Sequence, residues 1–167
     1  MQITKTYCNS ILTRSTGYLR GVSSHSLNPY IGCGFGSSSC GEGCYVQFNQ
    51  WINRGREWGK FVDVKVNADE VYLRTVKAEK RWAARRRIPF SIFFSSSTDP
   101  WQPIERKFRI TRRVLHSMLK KAPDVLILQT HSSMIMEDLA LIVALSKQCA
   151  LRVHLTIEGD KDSLPGL

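Results

Sequence analysis

The sequence holds no uncharged apolar run approaching the roughly 18 residues that cross a bilayer, so no membrane-spanning helix is expected. It also lacks an apolar stretch behind Met1, which argues against a secretory leader and for a cytoplasmic protein. The first 24 residues contain no Asp or Glu, while carrying Lys5, Arg14, Arg20 and many hydroxyls. Organelle transit peptides share that composition, but the segment runs unbroken into the main motif, so that reading ranks second. There is no internal repeat and no low-complexity tract. Nor are the five cysteines spread evenly, as in a small disulfide-stapled secreted domain. Three of them, Cys33, Cys40 and Cys44, crowd onto one stretch, which suggests metal or iron–sulfur ligation in a reducing compartment. Cys8 and Cys149 stand apart and read as buried small apolar residues.

What is present fits one globular unit. The length of 167 residues and the apolar fraction of 43% suffice for a real core. A net charge of +10, from 24 basic and 14 acidic residues, favours polyanionic partners. Much of it sits in one segment, where Arg74, Lys77, Lys80, Arg81, Arg85, Arg86 and Arg87 face a single Glu79. Two readings compete there: a solvated helix face with Trp82 and the alanines turned inward, and a phosphate-contacting surface that grips nucleic acid. The solvated face is favoured.

The hydrophobic pattern alternates between strand and helix. Residues 26–32 read as a short strand or extended lead into a Gly- and Ser-rich loop over 32–45. A strand or hairpin arm is predicted over 61–66, then a helix over 68–86 with Val71, Val76 and Trp82 along it. Three strand–helix steps follow. Residues 89–95, with Phe90, Ile92, Phe93 and Phe94, give a buried strand opening into the polar loop 95–100. Thr111 is a predicted helix cap, with Val114, Leu115, Met118 and Leu119 on one side. The apolar run 125–128 reads as a parallel strand covered on both faces and ends at Thr130, His131 and Ser132. A helix over 137–148 should turn Leu139, Ile142, Val143 and Leu145 inward. Residues 151–157 then alternate, with Leu151, Val153, Leu155 and Ile157 on one face and Arg152, His154 and Thr156 on the other. This order predicts an α/β sheet or barrel of right-handed βαβ units. The loops after the strands, where such folds keep their chemistry, hold the cysteines, the Ser/Thr/Asp cluster, Thr-His-Ser, and Thr156 to Glu158.

The cysteine loop has the spacing Cys33-x6-Cys40-x3-Cys44. Thiolates suit iron–sulfur clusters and zinc alike, and the interspersed glycines permit tight turns and free amides to face the sulfurs. Three ligands leave one iron of a cluster open to an external ligand; zinc would take a fourth from Cys8 or His25. Spacing alone leaves both open.

The wider sequence resembles a known family. Asn28-Pro29-Tyr30-Ile31-Gly32-Cys33 and Cys44-Tyr45-Val46-Gln47 look like the cluster loop of the spore photoproduct lyase-like branch of radical S-adenosylmethionine (SAM) proteins. The stretch Ser97-Thr98-Asp99-Pro100-Trp101-Gln102-Pro103-Ile104-Glu105 is similar to that branch's second motif, and Thr111-Arg112-Arg113 and Thr130-His131-Ser132 follow in its order. The resemblance runs from about Asn9 to Asp160. It implies a partial (βα)6 TIM-like barrel with about four βα units present, residues 1–25 forming an extension and 26–167 the N-terminal part of the core domain. It implies a [4Fe–4S] cluster on Cys33, Cys40 and Cys44, and reductive cleavage of SAM to methionine and a 5′-deoxyadenosyl radical, fed by a flavodoxin- or ferredoxin-like reductant. By position, Ser96, Thr98 and Asp99 would meet the SAM amino group or ribose, His131 and Ser132 its carboxylate, and Thr156 with Glu158 the ribose. Asp99 reads equally well as a turn acceptor beside Pro100, and the others as strand-end caps. Tyr45 is expected to pack over the cluster.

The chain departs from the family pattern in four ways. Both gaps between the cysteines are longer than the usual C-x3-C-x2-C. His131 stands where Lys is common, making a fixed charge titratable. Ser95, Ser96 and Ser97 occupy the region of the lyases' hydrogen-donating cysteine, so photoproduct repair itself is not expected. Leu167 follows the fourth predicted strand, where the family continues through further units.

Overall fold

The computed structural model of the chain describes residues 1–36 and 44–156. It is a mixed α/β structure with two mixed sheets. In chain order the strands are β1 (Gln2–Thr6), β2 (Leu12–Arg14), β3 (His25–Leu27), β4 (Tyr30–Ile31), β5 (Phe61–Lys65), β6 (Ser91–Phe94), β7 (Val125–Thr130) and β8 (Ala150–Leu155). The helices are α1 (Gln50–Asn53), α2 (Ala68–Arg85), α3 (Glu105–Phe108), α4 (Ile110–Lys120) and α5 (Leu139–Ser146).

The larger sheet has the order β2-β3-β6-β7-β8. Strands β3, β6, β7 and β8 run parallel, and α2, α4 and α5 lie in the three crossovers between them. In register, Leu27 lies beside Phe94, Phe94 beside Leu128, and Leu128 beside Val153. Because strand side chains alternate, Ile92, Phe94, Leu126 and Leu128 share the face packed with Val114, Leu115 and Met118 of α4. The opposite face carries Ser91, Phe93, Ile127 and Gln129. The smaller sheet has the order β1-β5-β4, with β1 parallel and β4 antiparallel to β5. Its Tyr30, Val62 and Val64 enter the same hydrophobic cluster, so one core serves both sheets. Neither sheet closes into a barrel among the described residues.

Helix α2 forms as its pattern demands: Val71, Tyr72, Val76 and Ala83 are buried, Trp82 is half-buried, and Asp69 and Glu70 occupy the electropositive first turn. Arg74 and all six basic residues from Lys77 through Arg87 are exposed, although Ala78 and Ala84 are exposed with them. No helix among the described residues is long and apolar enough to cross a membrane.

Several local expectations are corrected. Thr111 is not a cap: Arg109, in the left-handed region, precedes α4, and the buried Thr111 hydroxyl donates to the Pro100 carbonyl at 2.5 Å. Residues 133–138 form a 3-10 segment, and α5 begins only at Leu139. That shift turns Leu141, Ile142 and Leu145 inward and leaves Leu139 and Val143 exposed. Among the described residues, strand β8 sits at the sheet edge with both faces largely open, where alternation alone suggested one packed face. Within residues 1–25, β1 pairs with β5 and β2 with β3. Cys8 and Cys149 are half-buried rather than buried; their thiols donate to Asn67 Oδ1 and the Leu145 carbonyl.

Candidate metal centre and its cavity

The site forms where the chain leaves the C-terminal ends of the parallel strands. After β3 the chain passes through β4 to Gly32 and Cys33; after β6 it enters the loop 95–104; after β7 it reaches Thr130 and His131. Cys33, Cys44, Ser96, Thr98, Asp99 and His131 line one cavity of about 90 Å³, together with Tyr45, Trp58, Ser95 and Gln129. Six residues singled out by pattern or resemblance thus converge on one place. Ser132 and Thr156 do not line it. Ser132 instead caps the 3-10 segment, its hydroxyl accepting from Met134 N–H, and the Thr156 N–H donates to the Thr130 carbonyl. Cys40 and Glu158 lie outside the described residues.

The first two motifs are bolted together by buried polar side chains. Gln102 accepts from the Gly34 N–H at 2.7 Å and donates to the Thr98 hydroxyl at 2.9 Å, while Thr98 donates to the Gly32 carbonyl at 2.7 Å. Tyr30 donates its hydroxyl to Glu105, whose carboxylate also accepts the Thr111 and Arg112 amides at 3.0 and 3.1 Å. Glu105 therefore satisfies orphan donors of the first turn of α4 while anchoring the strand that leads to Cys33. Burial pushes the Glu105 carboxyl up from its ordinary range, against the lowering effect of these donors. Asp99 is 5% exposed and staples the second loop to the third, accepting from Trp101 N–H, Thr130 Oγ1 and His131 N–H, each at 2.8 Å at the closest. With three donors in place, the turn-acceptor reading describes Asp99 in this structure, and about one lone-pair direction is left over. Burial holds its carboxyl above the usual carboxylate range.

The cysteine environment fits a thiolate-bound cation in kind. Cys33 is 3% exposed and its thiol is pushed up to about 12, chiefly by burial. Backbone amides of Asp99 and Phe35 act the other way by hydrogen-bonding the sulfur. A bound cation would offset the burial cost and leave those amides stabilising a thiolate. Two further cavity atoms, Ser95 Oγ and Trp58 Nε1, are buried without a hydrogen-bond partner among the described residues. Buried polar atoms are seldom left unmatched, so these two could take a further polar partner in the cavity. No group of three or more His, Cys, Asp or Glu residues that could hold a metal ion exists among the described residues, and the third thiol would have to be Cys40.

The backbone is shaped to bring Cys33 in close. Gly32 has φ of +85° and lies against Phe61, where a Cβ would stand 2.3 Å from the Phe61 carbonyl oxygen. Tyr45 lines the cavity with its ring 61% exposed, and its hydroxyl donates to the Ser96 carbonyl. It closes the rim rather than packing in the interior. Cys8 and His25, the two residues expected to offer zinc a fourth ligand, lie elsewhere. His25 lies in the core behind the sheet, with Nε2 at 3.0 Å from Glu79 and Nδ1 at 2.9 Å from Ser24, and Cys8 is hydrogen-bonded to Asn67. Neither lines the cavity. Sequence reasoning missed Gln129 and Trp58 as lining residues, and singled out Ser95 only as part of the serine run. The one signal for Gln129 was a lone polar residue in an otherwise apolar strand.

An α/β fold with two cysteines and a polar rim at the strand ends defines only a broad class of protein. No protein-family profile matches the chain, and no solved structure matches it. It is 30% identical over 139 residues to the uncharacterized protein MJ0683 of Methanocaldococcus jannaschii, an alignment taking in 83% of this chain and 46% of that protein. The chain thus spans about half the length of the curated relative it matches.

Proposed function

We propose that this chain is the N-terminal part of a radical SAM enzyme of the spore photoproduct lyase-like branch, with an unassigned substrate that is not the spore photoproduct. One observation carries the reading. Cys33 and Cys44, far from the Ser-Thr-Asp loop and from His131 in sequence, share one cavity with them at the ends of successive parallel strands. That placement suits a partial (βα)6 barrel of four parallel strands and three crossover helices, whose strand-end loops carry the chemistry. A [4Fe–4S] cluster on Cys33, Cys40 and Cys44 would supply the single electron that cleaves SAM to methionine and a 5′-deoxyadenosyl radical.

The chain's own residues would bind, orient and shield. Ser96, Thr98 and Asp99 from one side and His131 from the other would position SAM in the cavity. Gln102 and Thr98 hold the Gly32–Gly34 backbone that presents Cys33. Tyr45 and Trp58 would keep water from the rim. A reductant of the flavodoxin or ferredoxin type would be needed, and its docking face is left open.

Anaerobic reconstitution with iron and sulfide tests the reading. Wild-type protein should turn brown, retain about four irons and four sulfides per chain, and form methionine and 5′-deoxyadenosine when reduced with SAM. Cys33→Ala and Cys44→Ala should each abolish cluster retention. Zinc retention without colour would overturn the reading in favour of a zinc-stapled module. Colour without SAM cleavage would leave an inactive relative.

A further inference from the structure

A second, larger cavity of about 780 Å³ opens at the other end of the same sheet face, at the strand starts. Ser91 and Val125, the first residues of β6 and β7, line it, whereas the cysteine cavity takes Ser95, Gln129 and His131 beyond their far ends. Four arginines, Arg14, Arg20, Arg86 and Arg152, line it, and no Asp or Glu does so among the described residues. Of the four, only Arg14 has an ion-pair partner among the described residues, in Glu79 at 2.8 Å. Arg14 and Arg86 lie over the Trp82 ring, at 4.5 and 4.2 Å from its centroid, as cation–π contacts. Trp82 itself lines the cavity, and its Nε1–H is buried without a hydrogen-bond partner among the described residues. Part of the lining is apolar, contributed by Ile88, Pro89, Val125 and Ile127.

Of these like charges only Arg14 is offset among the described residues, by Glu79; the others repel each other across the cavity, and a bound anion relieves that repulsion. Guanidinium forks match phosphate oxygens, while an apolar lining suits a planar, weakly polar group. The volume lies within the range of roughly 300–1,000 Å³ that holds small organic ligands. We propose that this groove binds a nucleoside phosphate, either free or as one unit of a single-stranded nucleic acid, with the phosphates on Arg20, Arg86 and Arg152 and the base on the apolar part of the lining. The site is independent of the cysteine cavity. It also differs from the basic flank of α2 around Lys77 and Arg81, which lines a separate hollow with Lys121.

The test uses the whole chain and two probes, uridine triphosphate and a labelled uridylate oligomer of about ten nucleotides. Uridine avoids any adenosyl-selective pocket. Calorimetry and fluorescence anisotropy should show saturable binding of at least one probe. Arg20→Glu with Arg152→Glu should weaken it at least about tenfold, while Lys77→Glu with Arg81→Glu, which removes the same net charge, should change it less than about threefold. Tighter triphosphate identifies a free nucleotide; tighter oligomer identifies a single strand. Should the reversed pair melt early, Arg20→Gln with Arg152→Gln gives the same comparison without added repulsion. Absence of saturable binding by both probes, or equal weakening by both charge-reversal pairs, overturns the proposal.

Discussion

At the residue scale, the hardest constraint on the cysteine site is a hydrogen atom. Gly32 adopts φ of +85° and faces the Phe61 backbone, so a methyl group there would meet the carbonyl oxygen at 2.3 Å and the ring at 2.8 Å. Backbone cannot swing aside as a side chain can. Gly32→Ala is therefore expected to cost about 2 kcal/mol or more, from the strained dihedral and the clash together. Urea unfolding checks this, and a midpoint within error of wild type would refute it. The side-chain network around Gly32 explains why the two motifs occur together. Thr98 and Gln102 hold its carbonyl and the Gly34 amide, and Glu105 holds Tyr30. These links join loops far apart in sequence and leave no trace in local pattern. The residues were legible only as a resemblance, and the reason for them became physical once their partners were in view. Trp58 gave no signal at all, because a lone tryptophan in sequence does not announce which cavity it will border.

At the element scale, strands and helices with a strong period were legible and those governed by position were not. The pattern located β5, β6, β7, α2 and α4 to within a few residues, since each buries a continuous face. Strand β1 escaped notice because its residues are nearly all exposed and its pairing with β5 is a long-range choice. Strand β8 was found, yet its burial was misjudged because alternation says nothing of whether a strand is central or at an edge. The packing of α2 against β3 carries a pH signature. His25 is fully buried between Trp82 and Phe90, with ring centroids at 5.3 and 5.1 Å, and burial lowers its pKa despite the Glu79 partner. Unfolded, the imidazole takes its proton near pH 6.5; folded, it resists protonation. The unfolded chain therefore binds more protons below that pH, and stability should fall as pH drops from 7 toward 5. Glu79, held below its usual range by Arg14, adds a further loss in the same direction at lower pH. Denaturant midpoints against pH, in wild type and His25→Gln, should differ in slope between about pH 6.5 and 5. Equal slopes would sink the assignment, and an NMR titration of the His25 ring would decide it if the variant is poorly folded.

At the scale of the whole molecule, two sheets share one core, and the stability of each strand should follow its place in that core. Ile92, Phe94, Leu126 and Leu128 of β6 and β7 are all 0% exposed, and these strands have hydrogen-bonded neighbours on both sides. Their amides can exchange only when the sheet itself comes apart. Among the described residues, strand β8 has one neighbour, β7, with Val153 and Leu155 exposed, and β1 is an edge strand exposed over most of its length. Opening either edge strand uncovers little apolar surface and so costs little. Strand β5 is the informative intermediate. It belongs to the smaller sheet, but Val62 and Val64 are fully buried in the common cluster with Leu27 and Phe94. If that cluster makes the two sheets one cooperative unit, β5 amides will be protected to the same free energy as those of β6 and β7. Those of β1 and β8 will exchange through local opening at a fraction of it. Native-state hydrogen exchange under rising denaturant separates the alternatives. Convergence of β5, β6 and β7 on one global isotherm is the expected result, whereas an earlier, separate isotherm for β5 would mean that the sheet next to Cys33 opens independently of the parallel sheet whose loops complete the cavity.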